Sequence, residues 1–470
     1  MIQAQQTGNL REALLDSLYT TTDTAGLVGT LRRELRTSDS LYHAAIDSAA
    51  VDSARNEIQR DLIVQALSSP APLPPPTPER IPKELGFIGL LFALFLVPKL
   101  LQRFRIPGAV TSLIMGAAAT ALGWFPHDPT LNLLSTLGIV ALFLFAGLEI
   151  EGHQLRESVR PLLLHGAIWA GLAIVTAVAI GLIVGASPRV AALLSLAIVT
   201  PSTGFILSSL KSFGLTTSEQ KTVRTYAVGS ELIALAALFF VLQATSSVHL
   251  VLAIAAMIGV VIVIPIMFKL FASLVAPYAP RSEFAFLLMV AVICSYATRM
   301  LGVYYLVGAF LVGVAAQRFR GDHPDMSSEK MVDALEAFGS VFIPFYFFHA
   351  GTEITAERLT GRAIALGLLL VLIFVPVRIG LIALHRKFAL KETFAVSRRV
   401  GSAMIPTLVF TLVIGGILDE KFGLVGTFSG ALVLYAILNT TMPAFVLKAQ
   451  PADFEDVEAL PLETEPVPSH

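Results

Sequence analysis

Apolar stretches of bilayer-spanning length dominate this sequence. Between about Gly86 and Leu447 they alternate with short polar segments, and each is close to the roughly 20 residues that an α-helix needs to cross a membrane. The chain is 55% hydrophobic and only 14% charged, whereas soluble domains carry roughly 25% charged residues. Most of the stretches also lack the polar face of a soluble helix. The pattern therefore predicts an all-α polytopic membrane protein embedded in the lipid bilayer.

The apolar stretches predict about thirteen transmembrane helices. They cover roughly residues 85–102, 108–125, 132–150, 161–185, 189–210, 223–244, 249–276, 283–299, 303–317, 335–351, 361–384, 399–418 and 422–447. Lys and Arg concentrate in the loops after odd-numbered spans, as at Arg103, Arg105, Arg386 and Lys387. By the positive-inside rule these loops are cytoplasmic, as is the C-terminus, in a bacterial-type inner (plasma) membrane.

Three regions differ in composition. Residues 1–82 form a polar N-terminal extension that ends in a stiff proline-rich linker, Ser69–Pro78. Residues 83–448 form the transmembrane domain, and residues 449–470 form a short acidic tail. The predicted orientation places the extension outside, where it requires an export signal.

Several classes of function are disfavoured. The formal net charge of −1 offers no basic patch for nucleic acid. The single cysteine, Cys294, rules out an internal disulfide framework and any multi-cysteine metal site. No nucleotide fingerprint, nucleophile elbow or metal triad occurs in the polar segments, so we expect no enzyme and no resident cofactor.

Polar residues inside the apolar spans are the candidate functional residues, because a charge at mid-membrane costs roughly 2.5–3.5 kcal/mol on insertion scales. Glu231 lies about a third of the way into its span, and Ser230 precedes it. A carboxylate there can bind either a proton or a small cation transiently, and alternation between the two is proton-coupled exchange. A structural ion pair between helices is the alternative interpretation.

A second span is interrupted by Thr200-Pro201-Ser202-Thr203-Gly204. Proline and glycine within one turn, with three hydroxyls, predict a broken helix whose oxygens face an ion; a kink satisfied by Ser and Thr is the alternative. Arg378 lies inside a third span and stays charged, so it needs a carboxylate or carbonyl partner. We expect it to be the charge partner of Glu231.

Two further residues are weaker candidates. His349 lies near the end of a span and can titrate near neutral pH, and Glu283 lies at another span end. Both are possible pH-sensing residues, although a histidine close to the interface is more often structural.

Four segments resemble the monovalent cation:proton antiporter-2 family, of the Kef/Nap type. Leu137–Ile150, which reads LGIVALFLFAGLEI, is similar to the signature of the family's third helix. Phe104–Gly108 resembles its first cytoplasmic turn, Val307–Gly313 its Gly-Ala-Phe-Leu-Ala-Gly segment, and Phe342–Gly351 its later Phe-Phe-x-x-x-Gly helix. The resemblance covers roughly residues 86–447.

The resemblance implies a fold of two inverted repeats with two crossing broken helices, an elevator-type movement of the core, and a homodimer. It places Thr200 to Gly204 in the first broken helix, Glu231 on the family's ion-binding aspartate and Arg378 beside the crossing. Ser230 replaces the family's Asn, Gln or Asp, and Gly401–Pro406 replaces an acidic segment. The Kef-type C-terminal nucleotide-binding domain is absent from this sequence.

The leading hypothesis is a secondary antiporter that exchanges Na⁺ or K⁺ for H⁺ by alternating access. Glu231 is then the shared carrier, and Thr200, Ser202, Thr203 and Ser230 form the rest of the ion- or proton-binding set, because hard cations prefer oxygen ligands. Two alternatives remain open. One is a Na⁺-coupled transporter of an organic anion bound by Arg378 and His349; the other is a non-transporting sensor or assembly subunit.

Overall fold

The computed structural model describes most of the predicted transmembrane domain. It covers residues 83–124, 128–150, 159–210, 212–243, 246–279, 282–300, 306–322, 329–355, 357–424 and 426–447. The N-terminal extension, its proline-rich linker and the acidic tail lie outside the described residues, so the predictions made for them stay predictions.

Helices joined by short connections make up the described part of the chain. They are α1 (Lys83–Gln102), α2 (Gly108–Ala121), α3 (Pro129–Leu148), α4 (Val159–Val184), α5 (Pro188–Val199), α6 (Thr203–Ser209), α7 (Thr217–Gln243), α8 (Ser247–Leu270), α9 (Glu283–Met300), α10 (Leu306–Asp322), α11 (Glu329–Thr352), α12 (Gly361–Ala389), α13 (Phe394–Ala403), α14 (Leu408–Phe422) and α15 (Thr427–Val446). A short π-helix, Phe271–Val275, continues α8.

The all-α polytopic class is confirmed. Within the described ranges, nine helices are long and apolar enough to cross a bilayer, and the bent pair α13–α14 makes a tenth. A helix lies at each of the predicted positions, but α2 and the apolar part of α10 are short, and α11 begins with a charged segment. A count of thirteen crossings therefore stays a prediction.

Two broken helices meet in the interior of the bundle. The first break, Thr200–Ser202, separates α5 from α6, and the second, Met404–Thr407, separates α13 from α14 with a bend of 44°. The backbone N–H of Ser202 donates to the carbonyl of Pro406 at 2.8 Å, so the two breaks are in direct contact. This contact partners one backbone donor and one acceptor that the interrupted helices cannot bond themselves.

Hydrogen bonds on both sides of the contact hold α14 and α15 against α5. The hydroxyl of Thr411 donates to the carbonyl of Ala197, and that of Tyr435 donates to the carbonyl of Ile198, each at 2.7 Å. Both carbonyls belong to the last turn of α5, where intrahelical partners run out. The contact between the breaks at Thr200–Ser202 and Met404–Thr407, which we call the crossing, is therefore fixed by the polar groups that the breaks expose.

A second group of helices packs through glycines. At Gly147 of α3, an added Cβ would lie only 2.2 Å from the carbonyl oxygen of Phe310 and 2.9 Å from Cα of Gly313 in α10. Only glycine permits this approach of two backbones, as at the small-residue interfaces of membrane helices. The α3–α10 contact thus depends on residues without side chains.

Candidate functional site

Glu231 is buried at the first break. It lies near the middle of α7, and its side-chain oxygen Oε2 accepts a hydrogen bond of 3.0 Å from the backbone N–H of Thr203, the first residue of α6. Because Pro201 and the break free the N–H groups at this point, the carboxylate finds a donor that a continuous helix would not offer. The structure thus brings the predicted carboxylate to the predicted break.

Two threonine hydroxyls lie in the same segment. Thr200 and Thr203 are both buried, and within the described part of the chain neither Oγ1 has a hydrogen-bond partner. Leaving a buried hydroxyl unpartnered costs about 1–3 kcal/mol, so such groups are rare in native interiors. A carboxylate and two such oxygens are donors of the kind that hard cations select. The residues present therefore fit a small monovalent cation as cargo.

The break itself is shorter than predicted. It comprises Thr200, Pro201 and Ser202, whereas Gly204 lies inside α6 and has no positive φ. A Cβ at Gly204 would make ordinary contact with the Leu142 side chain at 3.5 Å. The expectation that Gly204 belongs to the break is therefore wrong; the interruption coincides with Pro201, which has no N–H to donate.

Arg378 caps the second break instead of pairing with Glu231. Its Nη1 donates to the carbonyl of Ile405 at 2.6 Å and its Nη2 to that of Met404 at 2.9 Å. These carbonyls follow the C-terminal end of α13, where the helix dipole favours a cation. Among the described residues, no ion pair joins the guanidinium to Glu231. The expected pair is corrected: the fork of Arg378 matches two orphaned carbonyls, which partner the charge without a carboxylate.

Asn439 anchors the start of α14, a role that sequence reasoning missed. Its Nδ2 donates to the Thr407 hydroxyl at 2.8 Å, and its Oδ1 accepts from the Thr407 N–H at 3.2 Å. The Thr411 hydroxyl lies 2.7 Å from that of Thr407 and completes a buried network. An asparagine within the apolar α15 was the available signal, since buried amides need partners.

Ser230 lies beside the first break and contacts α4. Its hydroxyl lies 3.1 Å from Nε2 of His165 in α4, and both residues are buried. They line a cavity of about 30 Å³ that Pro201, Arg378 and Met404 also border. His165 was missed from sequence, although a histidine in an apolar span is a visible signal. Ser230 was predicted to supply oxygen to the cation, but its described hydrogen bond is to this histidine.

The two weaker candidates lie on other helices. His349 is in the last turn of α11, where its Nδ1 lies 3.5 Å from the Thr352 hydroxyl. Glu283 opens α9. The described hydrogen bonds of the crossing include neither residue, so a pH-sensing role for them stays a prediction.

Three features together define the class of protein as an ion-translocating membrane transporter. They are the multi-pass helical bundle, the contact between its two broken helices, and the buried carboxylate with unpartnered hydroxyls beside it. In agreement with this class, residues 89–449 match the family described as "Sodium/hydrogen exchanger, transmembrane". The chain belongs to this family. Its members are transporters and not enzymes, which confirms the prediction that the chain is no enzyme. The narrower Kef/Nap-type assignment stays a prediction.

Individual relatives agree with the family. The chain is 25% identical over 389 residues to a Na⁺/H⁺ antiporter of Enterococcus hirae, covering 77% of this chain and 98% of that protein. It is 26% identical over 375 residues to the Na⁺/H⁺-K⁺ antiporter GerN of Bacillus cereus, covering 76% of this chain and 94% of GerN. The structure of the sodium proton antiporter NhaP1 from Methanocaldococcus jannaschii superimposes with a TM-score of 0.59 at 14% identity, over 80% of this chain and 98% of that one. This last likeness supports the fold alone.

Proposed function

We propose that the protein is a Na⁺/H⁺ antiporter in which Glu231 is the carrier shared by the two ions. The observation behind the proposal is the buried carboxylate of Glu231 at the first break, next to the unpartnered hydroxyls of Thr200 and Thr203. The sodium/hydrogen exchanger family and the relatives named as Na⁺/H⁺ antiporters support the same cargo.

Charge explains why one carboxylate can couple the two ions. A protonated Glu231 is neutral, and a deprotonated Glu231 with a bound Na⁺ is also neutral as a pair. An empty, ionised carboxylate in the bundle interior is expensive. The site therefore favours crossing in one of the two loaded forms, and never empty, which gives exchange of one Na⁺ for one H⁺. We infer an electroneutral cycle, because Arg378 keeps its charge throughout.

The finer features of the cycle belong to this proposal too. We propose alternating access of the elevator type, in which the helices around the crossing move against the rest of the bundle, a homodimeric assembly, and a cytoplasmic C-terminus. The Kef/Nap-type subfamily is proposed from the four sequence segments that resemble it. K⁺ is a second cargo to test, since GerN is named for exchange involving both cations.

The organic-anion alternative loses its main binding group. It assigned the anion to Arg378, but two described donors of that guanidinium already serve the carbonyls of Met404 and Ile405. An anion would have to share the five N–H donors of this guanidinium with the two buried carbonyls. Cation-for-proton exchange needs no such sharing.

The test is exchange in proteoliposomes, followed with a pH-sensitive dye after a pulse of Na⁺, K⁺ or Li⁺. Glu231→Gln keeps the shape of the side chain but cannot ionise, so we expect Na⁺-driven proton movement to fall at least about a hundredfold. Glu420→Gln, an exposed position in α14, is the matched control and should behave like the native protein. Normal exchange by Glu231→Gln would disprove the assignment of the carrier.

A further inference from the structure

His165 holds α7 at two points. Its ring stacks on that of Tyr226, with centroids 4.2 Å apart and planes 7° from parallel, and its Nε2 lies 3.1 Å from the hydroxyl of Ser230. Tyr226 and Ser230 are four residues apart on α7, so they lie on one face of that helix. The ring of His385 from α12 lies 6.3 Å from that of His165 and 6.2 Å from that of Tyr226. Three helices thus meet at one buried histidine.

This arrangement determines where Glu231 points. Glu231 follows Ser230 directly, and successive residues on a helix are related by a fixed rotation of about 100°. Fixing the Ser230 hydroxyl to α4 therefore fixes the direction of the neighbouring carboxylate, which meets the Thr203 N–H at 3.0 Å. A small rotation of α7 would separate the carboxylate from the break. The stack on Tyr226 restrains the tilt of α7, and the bond to Ser230 restrains its rotation.

We propose that His165 is a positioning residue that orients Glu231 for cation binding through its hydrogen bond to Ser230. This inference rests on the proposed function, because it takes Glu231 as the cation-binding carboxylate and Na⁺ as the ion. It changes the role of Ser230, which acts as the anchor of α7 to α4 and leaves cation binding to Glu231 and the two threonines. The effect is on affinity: a carboxylate that is free to turn must be ordered when the cation binds.

Paired substitutions separate the bond from the stack. His165→Phe keeps an aromatic ring against Tyr226 but cannot bond Ser230. His165→Gln loses the ring but can place an amide near the position of the imidazole Nε2. Ser230→Ala removes the bond with the smallest change of shape. The matched control is Ser195→Ala, since Ser195 is also buried and also joins α4, through the carbonyl of Ala173 at 2.6 Å.

The measurements are the Kd for ²²Na⁺ on the purified full-length protein and the KM and maximal rate of exchange in proteoliposomes. Ser230→Ala and His165→Phe should each raise the Kd and KM for Na⁺ about threefold to tenfold, the usual effect of losing one hydrogen bond, with the maximal rate within about twofold. The double variant should be no worse than either single one. His165→Gln should recover most of the affinity, and Ser195→Ala should match the native protein.

Other outcomes overturn the inference. An unchanged Na⁺ Kd in Ser230→Ala refutes positioning through the bond, even if the His165 variants fail to fold. A native Kd in His165→Phe together with a raised Kd in His165→Gln would show that only stacking matters. Native protein that binds Na⁺ but does not exchange it for protons would defeat the proposed function, while the Kd series still decides the role of His165.

Discussion

Replacing Arg378 with alanine removes the cap of the second break. The guanidinium donates to the carbonyls of Met404 at 2.9 Å and Ile405 at 2.6 Å, and it is buried. Both carbonyls lie in the bundle interior, where few other hydrogen-bond donors are available. The variant therefore leaves two acceptors without these donors. If Arg378 were only a counter-charge for Glu231, its loss would affect ion binding more than folding.

The magnitude follows from these contacts. Each buried acceptor that loses its donor costs about 1–3 kcal/mol. Removing the guanidinium also removes the cost of burying its charge, which offsets part of this loss. We therefore expect Arg378→Ala to lower the free energy of unfolding by about 2–4 kcal/mol. Arg378→Lys supplies a single charged centre in place of the planar fork, so it should cost about half as much.

Unfolding of the purified protein by SDS in mixed micelles, followed by tryptophan fluorescence, measures this effect. Trp169 reports on the crossing, because its indole Nε1 donates to the carbonyl of Val199 at 3.4 Å. The matched control is Arg362→Ala, an exposed arginine on the same helix, which should stay within about 0.5 kcal/mol of the native protein. Equal unfolding free energies for Arg378→Ala and Arg362→Ala would refute the capping role.

Three further changes have expected outcomes. Gly147→Ala places a Cβ 2.2 Å from the Phe310 carbonyl oxygen, so this variant should have a lower thermal unfolding temperature in detergent. The control is Gly171→Ala, whose added Cβ meets nothing within 4 Å, and its unfolding temperature should be equal to or higher than that of the native protein. Asn439→Leu leaves the Thr407 backbone N–H without its acceptor, so unfolding in SDS should become about 1–3 kcal/mol easier. Thr200→Val removes one candidate cation oxygen and should raise the Na⁺ Kd while proton binding at Glu231 persists; an unchanged Kd would exclude Thr200 as a ligand.

Local patterns in the sequence were sufficient to predict the class of fold. The length of an apolar stretch and the position of proline are local properties, and the bilayer acts on each stretch separately. Helices therefore lie where the spans were predicted, and the segment around Pro201, with its three hydroxyls, was identifiable as a break. Glu231 and Arg378 were identifiable for the same reason, because a charge within an apolar span is visible without knowing its neighbours.

The hydrogen-bond partner of a buried polar side chain depends on which helices pack together, and no local sequence pattern specifies this packing. Arg378 needed a carbonyl or a carboxylate, and both were compatible with its sequence context. In the tertiary structure Arg378 donates to the carbonyls of Met404 and Ile405, because α12 passes the second break at the level of this residue. For Ser230 the tertiary structure supplied a partner that the sequence did not indicate, His165, a residue 65 positions away.

The sequence by itself determined that this chain crosses a membrane many times and holds a carboxylate and a broken helix within it. Only the tertiary structure decided that the two breaks touch through Ser202 and Pro406, and that Glu231 faces the first of them. The physical reason is the distance along the chain over which each interaction acts. Hydrophobic length and helix interruption act within one segment, whereas the hydrogen bonds that satisfy an interrupted backbone are made with whichever segment the fold brings alongside.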